Sequence, residues 1–250
     1  MSSRRSEAFL AVARPYVRRL LARELDGIEI AGLAELRRLT RERPLVCAMM
    51  HTSFWDPLVL VALEAALPGT GHALMDAGSL ARLPFFGLLG AVPLERRDHA
   101  RALDDLDRAA SLVRHAGERL WIFPQGRQRP SHLRPLALRP GVVRVARRAG
   151  AAVVPVALTY AFREAMRPAC VLAVGSPVSL EVLTGRPADA SAIDAIEAGL
   201  VAALARIDAH LEVPDAGFET LVQGATRRPD HTTWSALLAR LTGGRGWTRS

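Results

Sequence analysis

The sequence predicts a single α/β domain, in which helices flank a mixed, largely parallel sheet and an amphipathic helix lies at the N-terminus. Short runs of β-forming residues alternate with segments of helical periodicity, and turns that contain Gly or Pro join them. The 250 residues, of which 50% are hydrophobic, are also enough to bury one full core.

The first predicted element is a basic amphipathic helix over residues 4–25, where apolar side chains recur at helical spacing with arginines between them. Two interpretations stay open: an anchor that lies in the plane of a membrane, and a surface helix packed on its own domain. Pro15 is expected to kink this helix or divide it. We therefore expect an N-terminal helical segment (1–30), a main domain (31–213) and a C-terminal extension (214–250).

The stretch from residue 44 to residue 67 predicts a buried strand that ends at His51 and a helix that begins near Asp56. The apolar segment 79–90 is expected to be core, a lid over an apolar substrate, or a loop that contacts lipid. The remaining predicted elements are a strand at 72–75, a strand leading into a loop over 91–98, a helix at 98–116, a strand at 120–123, a helix at 139–150, strands at 151–160 and 170–180, a helix at 189–212 and a short helix at 234–241.

Composition narrows the class of partner. All 33 basic residues are arginines, against 25 acidic residues, and the net charge of +8 favours an anionic partner: a phosphate-bearing substrate, a membrane or a nucleic acid. Nucleic acid is not expected, because no basic stretch is interleaved with aromatic residues. Cys47 and Cys170 lie in apolar runs and are expected to be buried free thiols. We find no secretory signal and no apolar segment of about 18 residues that could span a membrane.

His51 and Asp56 are the candidate catalytic pair. A neutral histidine can draw a proton from a hydroxyl while a carboxylate fixes its tautomer and steadies the imidazolium. A spacing of five residues suits this pairing only if His51 lies in the turn before the helix, which the strand-to-helix boundary provides. Neither a GxSxG nucleophile motif nor a metal-ligand spacing accompanies the pair, so the nucleophile would be the substrate's own hydroxyl.

Two arginine clusters are candidate anion sites. Arg96 and Arg97 directly follow one strand end, and Arg127 and Arg129 follow another, beyond Gly126. Guanidinium groups at the ends of parallel strands can converge on a phosphate.

Four pieces of the sequence, in this order, resemble the glycerolipid acyltransferase family, which comprises 1-acylglycerol-3-phosphate acyltransferases and related lysophospholipid acyltransferases. The resemblance covers roughly residues 40–180, and the spacing between the pieces is that of the family. The pieces are the H-x-x-x-x-D motif at His51 and Asp56, the Gly six residues before an Arg at Gly90 and Arg96, the F-P-E-G-T-R-like stretch Phe123, Pro124, Gln125, Gly126, Arg127 and Gln128, and the V-P-V strand at 154–156.

The resemblance implies transfer of a fatty acyl group from acyl-CoA or acyl carrier protein to a hydroxyl of a lysophospholipid or related lipid. His51 would be the general base and Asp56 its orienting partner, with no acyl-enzyme, no bound cofactor and no metal. It also implies peripheral attachment at the cytoplasmic face of a membrane, and segment 83–89 as a lid or groove for the acyl chain. The substrate-binding residues implied are Gly90, Arg96, Phe123, Pro124, Gln125, Gly126, Arg127 and Arg129.

Four positions depart from the family pattern. Gln125 replaces the usual Glu, Arg127 and Gln128 replace Thr and Arg, and Met50 replaces the Asn that often precedes the histidine. Arg129 could compensate for the shifted basic group. These changes leave the base intact and alter the acceptor site, so a glycosylated lipid or terpenoid hydroxyl is an alternative acceptor. A catalytically silent relative that binds lipid or acyl carrier protein is a further alternative.

Overall fold

The computed structural model describes residues 5–180 and 186–225, without the side chains of 186–188. The helices are α1 (Glu7–Glu24), α2 (Leu33–Glu42), α3 (Asp56–Ala65), α4 (Ala77–Arg82), α5 (Phe85–Leu88), α6 (His99–Ala110), α7 (Gly141–Ala149) and α8 (Arg186–Glu212). The strands are β1 (Gly27–Ala31), β2 (Leu45–Met49), β3 (Thr70–Asp76), β4 (Ala91–Leu94), β5 (Glu118–Ile122), β6 (Ala152–Ala161), β7 (Ala169–Val174) and β8 (Phe218–Gln223).

The eight strands form one sheet in the order β4-β3-β5-β2-β6-β7-β1-β8. The first five strands of this order are parallel, whereas β7 runs antiparallel to β6 and β8 antiparallel to β1. The prediction of a mixed, largely parallel α/β sheet is confirmed. Because β4, β3, β5, β2 and β6 point the same way, the loops after them emerge at one edge of the sheet.

Helices cover both faces of the sheet, and each face has its own apolar core. Buried side chains of α6, α7 and α8 pack on one face, and those of α1, α2 and α3 on the other. The central strand β2 serves both cores, since Val46 and Ala48 belong to the first and Leu45, Cys47 and Met49 to the second. Cys47 and Cys170 are buried free thiols, as predicted.

Helix α1 packs on its own domain. It runs unbroken from Glu7 to Glu24, so Pro15 does not divide it. Ser6 caps its amino end by accepting a hydrogen bond from the N–H of Phe9. Leu10 and Leu21 are buried against the domain, whereas Val12 and Tyr16 are exposed. The apolar stripe of this helix therefore faces the protein core. Among the described residues, no helix has the length and hydropathy needed to cross a bilayer.

Several observed elements differ from the predictions. β1, α2 and β8 were not predicted, and β8 comes from the segment expected to be a C-terminal extension. The segment 79–90 forms α4 and α5, and the helix predicted over 98–116 ends at Ala110, where a turn begins. The short helix predicted at 234–241 lies outside the described residues.

Candidate active site

His51 and Asp56 lie at the edge of the sheet where the parallel strands end. β2 ends at Met49, and Asp56 is the first residue of α3. His51 therefore lies in the connecting turn, as the five-residue spacing requires. His51 Nδ1 lies 2.8 Å from Asp56 Oδ2, and Asp56 is fully buried.

The Asp56 carboxylate is held from several directions. Besides His51, its Oδ2 accepts hydrogen bonds from the backbone N–H of Thr52 at 2.5 Å and of Ser53 at 2.9 Å. Its Oδ1 accepts a hydrogen bond of 2.8 Å from the hydroxyl of Tyr160. Because the Asp56 carboxylate can only accept hydrogen bonds, Nδ1 of His51 carries the proton and donates it to Oδ2. Nε2 is then the nitrogen of the ring that can accept a proton.

Tyr160 is a functional candidate that the sequence alone did not reveal. It lies in β6, 104 residues beyond Asp56 in the chain. Burial, followed by the proximity of Cys170 and Asp56, raises the pKa of Tyr160 above its ordinary value, so its hydroxyl stays protonated and donates. No spacing in the sequence links Tyr160 to the pair; it reaches Asp56 because β6 pairs with β2, which brings the end of β6 close to His51.

The loop after β5 fixes the position of His51. The ring of Phe123 stacks on the His51 ring with centroids 4.5 Å apart. The side-chain Oε1 of Gln125 accepts the backbone N–H of His51 at 2.7 Å, and the His51 carbonyl accepts the N–H of Arg129 at 2.8 Å. The buried Gln125 side chain therefore holds the backbone of His51 in place. An amide oxygen can accept this hydrogen bond as a carboxylate oxygen would.

Gly126 lets two arginines approach the site. Its φ is +68°, and a Cβ built there would lie 2.7 Å from Nε of Arg139 and 3.3 Å from Nη2 of Arg96. The two guanidinium groups therefore lie close to the Gly126 backbone, beside the loop that holds His51. The sequence predicted Arg96 at this place and did not predict Arg139.

His51 lines a cavity of about 1390 Å3. One part of it, the apolar arm, follows α3 and α5 and is lined by Leu60, Val61, Phe86, Leu89 and Trp121. Another part, the basic arm, is lined by Arg97, Arg139, Arg144, Arg147 and Arg148. Within 5–180 and 186–225, no group of three His, Cys, Asp or Glu side chains is arranged to hold a metal ion.

The predicted substrate-binding residues fall in three places. Arg96, Phe123, Pro124, Gly126 and Arg127 line the large cavity. Gln125 and Arg129, together with Arg127, line a smaller neighbouring cavity of about 330 Å3. Gly90 lines neither cavity, although its neighbours Leu89 and Ala91 line the large one; its φ is +105°, and a Cβ there would lie 3.0 Å from the carbonyl oxygen of Gly71, so the backbone favours glycine at this position.

Comparison with known families gives one match. A family model described as Acyltransferase matches residues 28–159, a stretch that includes His51, Asp56, Arg96 and Gln125 and stops one residue before Tyr160. The match spans more than half of the chain. The protein therefore belongs to the acyltransferase family, as the resemblance to glycerolipid acyltransferases predicted, and is a transferase of acyl groups. No curated protein matches the chain.

Proposed function

We propose that the protein is an O-acyltransferase that moves a fatty acyl group from a thioester donor to a hydroxyl of a lysophospholipid or related lipid. The observation that carries this proposal is the His51–Asp56 pair: Nδ1 is engaged by a buried carboxylate, and the ring borders a large cavity. This arrangement leaves Nε2 free to accept a proton from a molecule bound there.

The reaction needs no covalent enzyme intermediate. His51 Nε2 takes the proton of the acceptor hydroxyl while the oxygen attacks the thioester carbonyl carbon and forms the new C–O bond. The tetrahedral intermediate then expels the thiolate by breaking the C–S bond, and the imidazolium returns the proton to the sulfur. Asp56 steadies the positive charge on the imidazolium between these two steps.

Acceptor and acyl chain would occupy different parts of the cavity. Arg96, which follows β4, would contact a phosphate of the acceptor, with Arg139 beside it across Gly126. The acyl chain would lie in the apolar arm, where Phe86 and Leu89 of the predicted lid segment contribute to the lining. A glycosylated lipid or terpenoid hydroxyl remains the alternative acceptor.

Release of free thiol from acyl-CoA and from acyl carrier protein, measured over a panel of lipid acceptors, tests the proposal. We expect acceptor-dependent release by wild type and a loss of about a thousand-fold in His51→Ala, because the base is removed. His132→Ala is the matched control, since His132 is exposed and borders neither described cavity. Release that is absent with every acceptor, or equal in wild type and His51→Ala, would favour the silent binding protein instead.

Peripheral attachment at the cytoplasmic face of a membrane completes the proposal. Phe54, in the loop after β2, and Phe162 and Met166, in the loop after β6, are 72%, 73% and 74% exposed. Both loops emerge at the edge that carries His51, so these side chains could enter a bilayer beside the cavity. The double variant Phe54→Ser with Phe162→Ser should therefore bind lipid vesicles more weakly, as measured by co-sedimentation. If only Val12→Ser with Tyr16→Ser weakened it, α1 would be the anchor.

A further inference from the structure

One carboxylate on the lining of the large cavity has an oxygen that no protein group uses. Asp76 is the last residue of β3, is half-buried and lines the cavity. Its Oδ1 caps α4, because it accepts hydrogen bonds from the N–H of Ser79 at 2.9 Å and from the Ser79 hydroxyl at 3.0 Å. Among the described residues, none donates a hydrogen bond to Oδ2 of Asp76, and no arginine lies within 4.0 Å of the carboxylate. This oxygen is therefore available to a ligand.

The Asp76 carboxyl group is ionised at neutral pH, which decides what Oδ2 can bind. The hydrogen bond from the Ser79 N–H lowers the pKa of Asp76 below its ordinary value of 3.8. Partial burial opposes this shift, whereas the Ser79 hydroxyl and the positive charges of Arg96 and Arg82 add to it. An ionised carboxylate only accepts hydrogen bonds. The group that binds Oδ2 must therefore have a proton to donate, which a phosphate diester does not.

Asp76 lies at the same edge of the sheet as the histidine base. Only β5 separates β3 from β2, so the backbones of β3 and β2 lie about 10 Å apart at about 4.8 Å per strand. Asp76 is in register with Leu94 of β4, two residues before Arg96. Nη2 of Arg96 approaches the backbone of Gly126, in the loop that holds His51. Asp76, Arg96 and His51 thus border the same end of the cavity.

A hydroxyl suits this position better than an ammonium group does. Both groups can donate a hydrogen bond to Oδ2 of Asp76, but Arg96 and Arg97 line the same cavity and oppose a further positive charge. A hydroxyl can also accept a hydrogen bond from a guanidinium group while it donates to the carboxylate. A carboxylate and arginines on one lining therefore match a head group that carries several hydroxyls.

We propose that Asp76 accepts a hydrogen bond from a second hydroxyl of the acceptor and so selects a lipid whose head group is a sugar or another polyol. This proposal rests on the acyl transfer proposed above and names the class of its acceptor. Such a lipid presents one hydroxyl to His51 and another to Asp76. An acceptor whose only hydroxyl is the one that is acylated, such as lysophosphatidic acid, leaves Oδ2 unpaired.

Steady-state thiol release by Asp76→Asn with two acceptors tests this selection. Asparagine keeps an oxygen that can cap α4, but it places an N–H donor where Oδ2 lies. We expect KM for an alkyl glucoside to rise about ten-fold, with kcat unchanged, and KM for lysophosphatidic acid to stay as in wild type. Asp98→Asn is the control, because Asp98 caps α6 through the N–H of Arg101 and lines neither described cavity. An equal change of KM for both acceptors, or turnover of lysophosphatidic acid without turnover of the glucoside, would overturn the proposal.

Binding without turnover separates the acceptor proposal from the catalytic one. The alkyl glucoside is titrated, below its micelle concentration, into His51→Ala and into the double variant His51→Ala with Asp76→Asn. We expect calorimetry to give a Kd about ten-fold higher for the double variant. That difference would support the role of Asp76 even if no acceptor were acylated, and the catalytic proposal would then fail alone. Equal Kd values would overturn the role of Asp76 and leave acyl transfer by His51 intact.

Discussion

At the residue scale, the site depends on how Asp56 is shared among its partners. Two backbone N–H groups and the His51 ring bind Oδ2, and Tyr160 binds Oδ1. Because both oxygens are fixed, the carboxylate plane and the ring of His51 have little freedom to rotate. A charge buried in this way is tolerated because its hydrogen-bonding capacity is filled by donors.

Removing the Tyr160 hydroxyl should slow catalysis without weakening substrate binding. Tyr160→Phe leaves Oδ1 of Asp56 without its donor, so His51 is oriented less firmly. We expect kcat to fall about ten-fold, which corresponds to about 1.4 kcal/mol, with KM unchanged. Steady-state thiol release provides the measurement. Tyr16→Phe is the control, since Tyr16 is exposed on α1. A wild-type kcat in Tyr160→Phe would show that the tyrosine does not position the pair.

Gly126→Ala should disturb the two arginines that lie over this position. The new Cβ would lie 2.7 Å from Arg139 Nε, so that guanidinium must move, and the φ of +68° adds backbone strain of about 1 kcal/mol. We expect KM for a phosphate-bearing acceptor to rise about ten-fold. Gly150→Ala separates the two causes, because its φ of +62° gives similar strain in open space. An equal change of KM in both variants would rule out the contact with the arginines.

The residues of the pair could be predicted from the sequence, whereas several of their partners could not. His51 and Asp56 are five positions apart in the chain, and one strand-to-helix boundary determines their geometry. Tyr160 and Arg139 reach the site through strand adjacency and loop closure, which no local spacing encodes. Gln125 stays a predicted substrate contact, and the structure adds a hydrogen bond that the sequence did not predict, from the backbone N–H of His51 to its Oε1.

At the scale of elements, a polar cluster joins α3 to β5 inside the protein. Glu64 of α3 binds both Nε and Nη2 of Arg119 and also accepts the indole N–H of Trp121. The Arg119 side chain is fully buried, and its Nη1 donates to the carbonyl of Pro68. This cluster fixes the end of α3 opposite to Asp56 and so contributes to the position of the helix that begins the active site.

Neutralising Glu64 should cost far more stability than neutralising an exposed glutamate. Glu64→Gln leaves the Arg119 charge buried without a counter-charge, and we expect the free energy of unfolding to fall by about 3 kcal/mol. Glu35→Gln, which removes a surface pair with Arg38, should change it by less than about 1 kcal/mol. Urea unfolding followed by circular dichroism measures both. The double variant Glu64→Leu with Arg119→Met should recover part of the loss, because no charge is then buried. Equal losses in the two single variants would contradict this account.

The elements that the sequence did not predict are short and depend on their neighbours. β1 has five residues with Glu29 in its centre, and β8 has exposed side chains at several of its positions. β1 pairs in parallel with β7, and β8 pairs antiparallel with β1 at the end of the sheet. Apolar runs such as β2 and β6 were predicted because burial on both faces makes their sequences continuously apolar. β8 is the edge strand and β1 lies next to it; neither has a continuous apolar run, so long-range pairing decides whether they form.

At the scale of the whole molecule, the sheet order explains why the motifs converge. β2, β5, β3 and β4 are neighbours in space although they are far apart in sequence, so the segments that follow them meet at one edge. Alternation of strands and helices predicted the fold class and parallel pairing, but it does not encode which strand lies in the centre. That order depends on the packing of two cores on opposite faces of the sheet.

Acid should destabilise the fold partly through Glu29, which ties three distant segments together. Glu29 of β1 binds His210 of α8 at 2.8 Å and Arg163 of the β6–β7 loop at 2.7 Å. The His210 ring also accepts the N–H of Asp215 and stacks on Phe218 of β8. Partial burial opposes ionisation of Glu29, but the hydrogen bonds from Arg163 and His210 outweigh it and hold the pKa of Glu29 below its ordinary value of 4.5.

The sign of the pH dependence follows from that lowered pKa. A carboxyl group that binds protons more weakly in the folded state stabilises the fold fully above pH 4.5, and this contribution is lost as the pH falls through the folded-state pKa. We therefore expect Glu29→Gln to lower the Tm at pH 7 and to make the Tm fall less steeply below pH 4.5 than in wild type. Thermal unfolding from pH 7 to pH 3 measures both effects. Glu42→Gln on α2, which removes an exposed pair with Arg38, should leave the acid slope as in wild type. If Glu29→Gln kept the full acid slope, other carboxylates would account for the acid sensitivity, and the three segments would not be joined through Glu29.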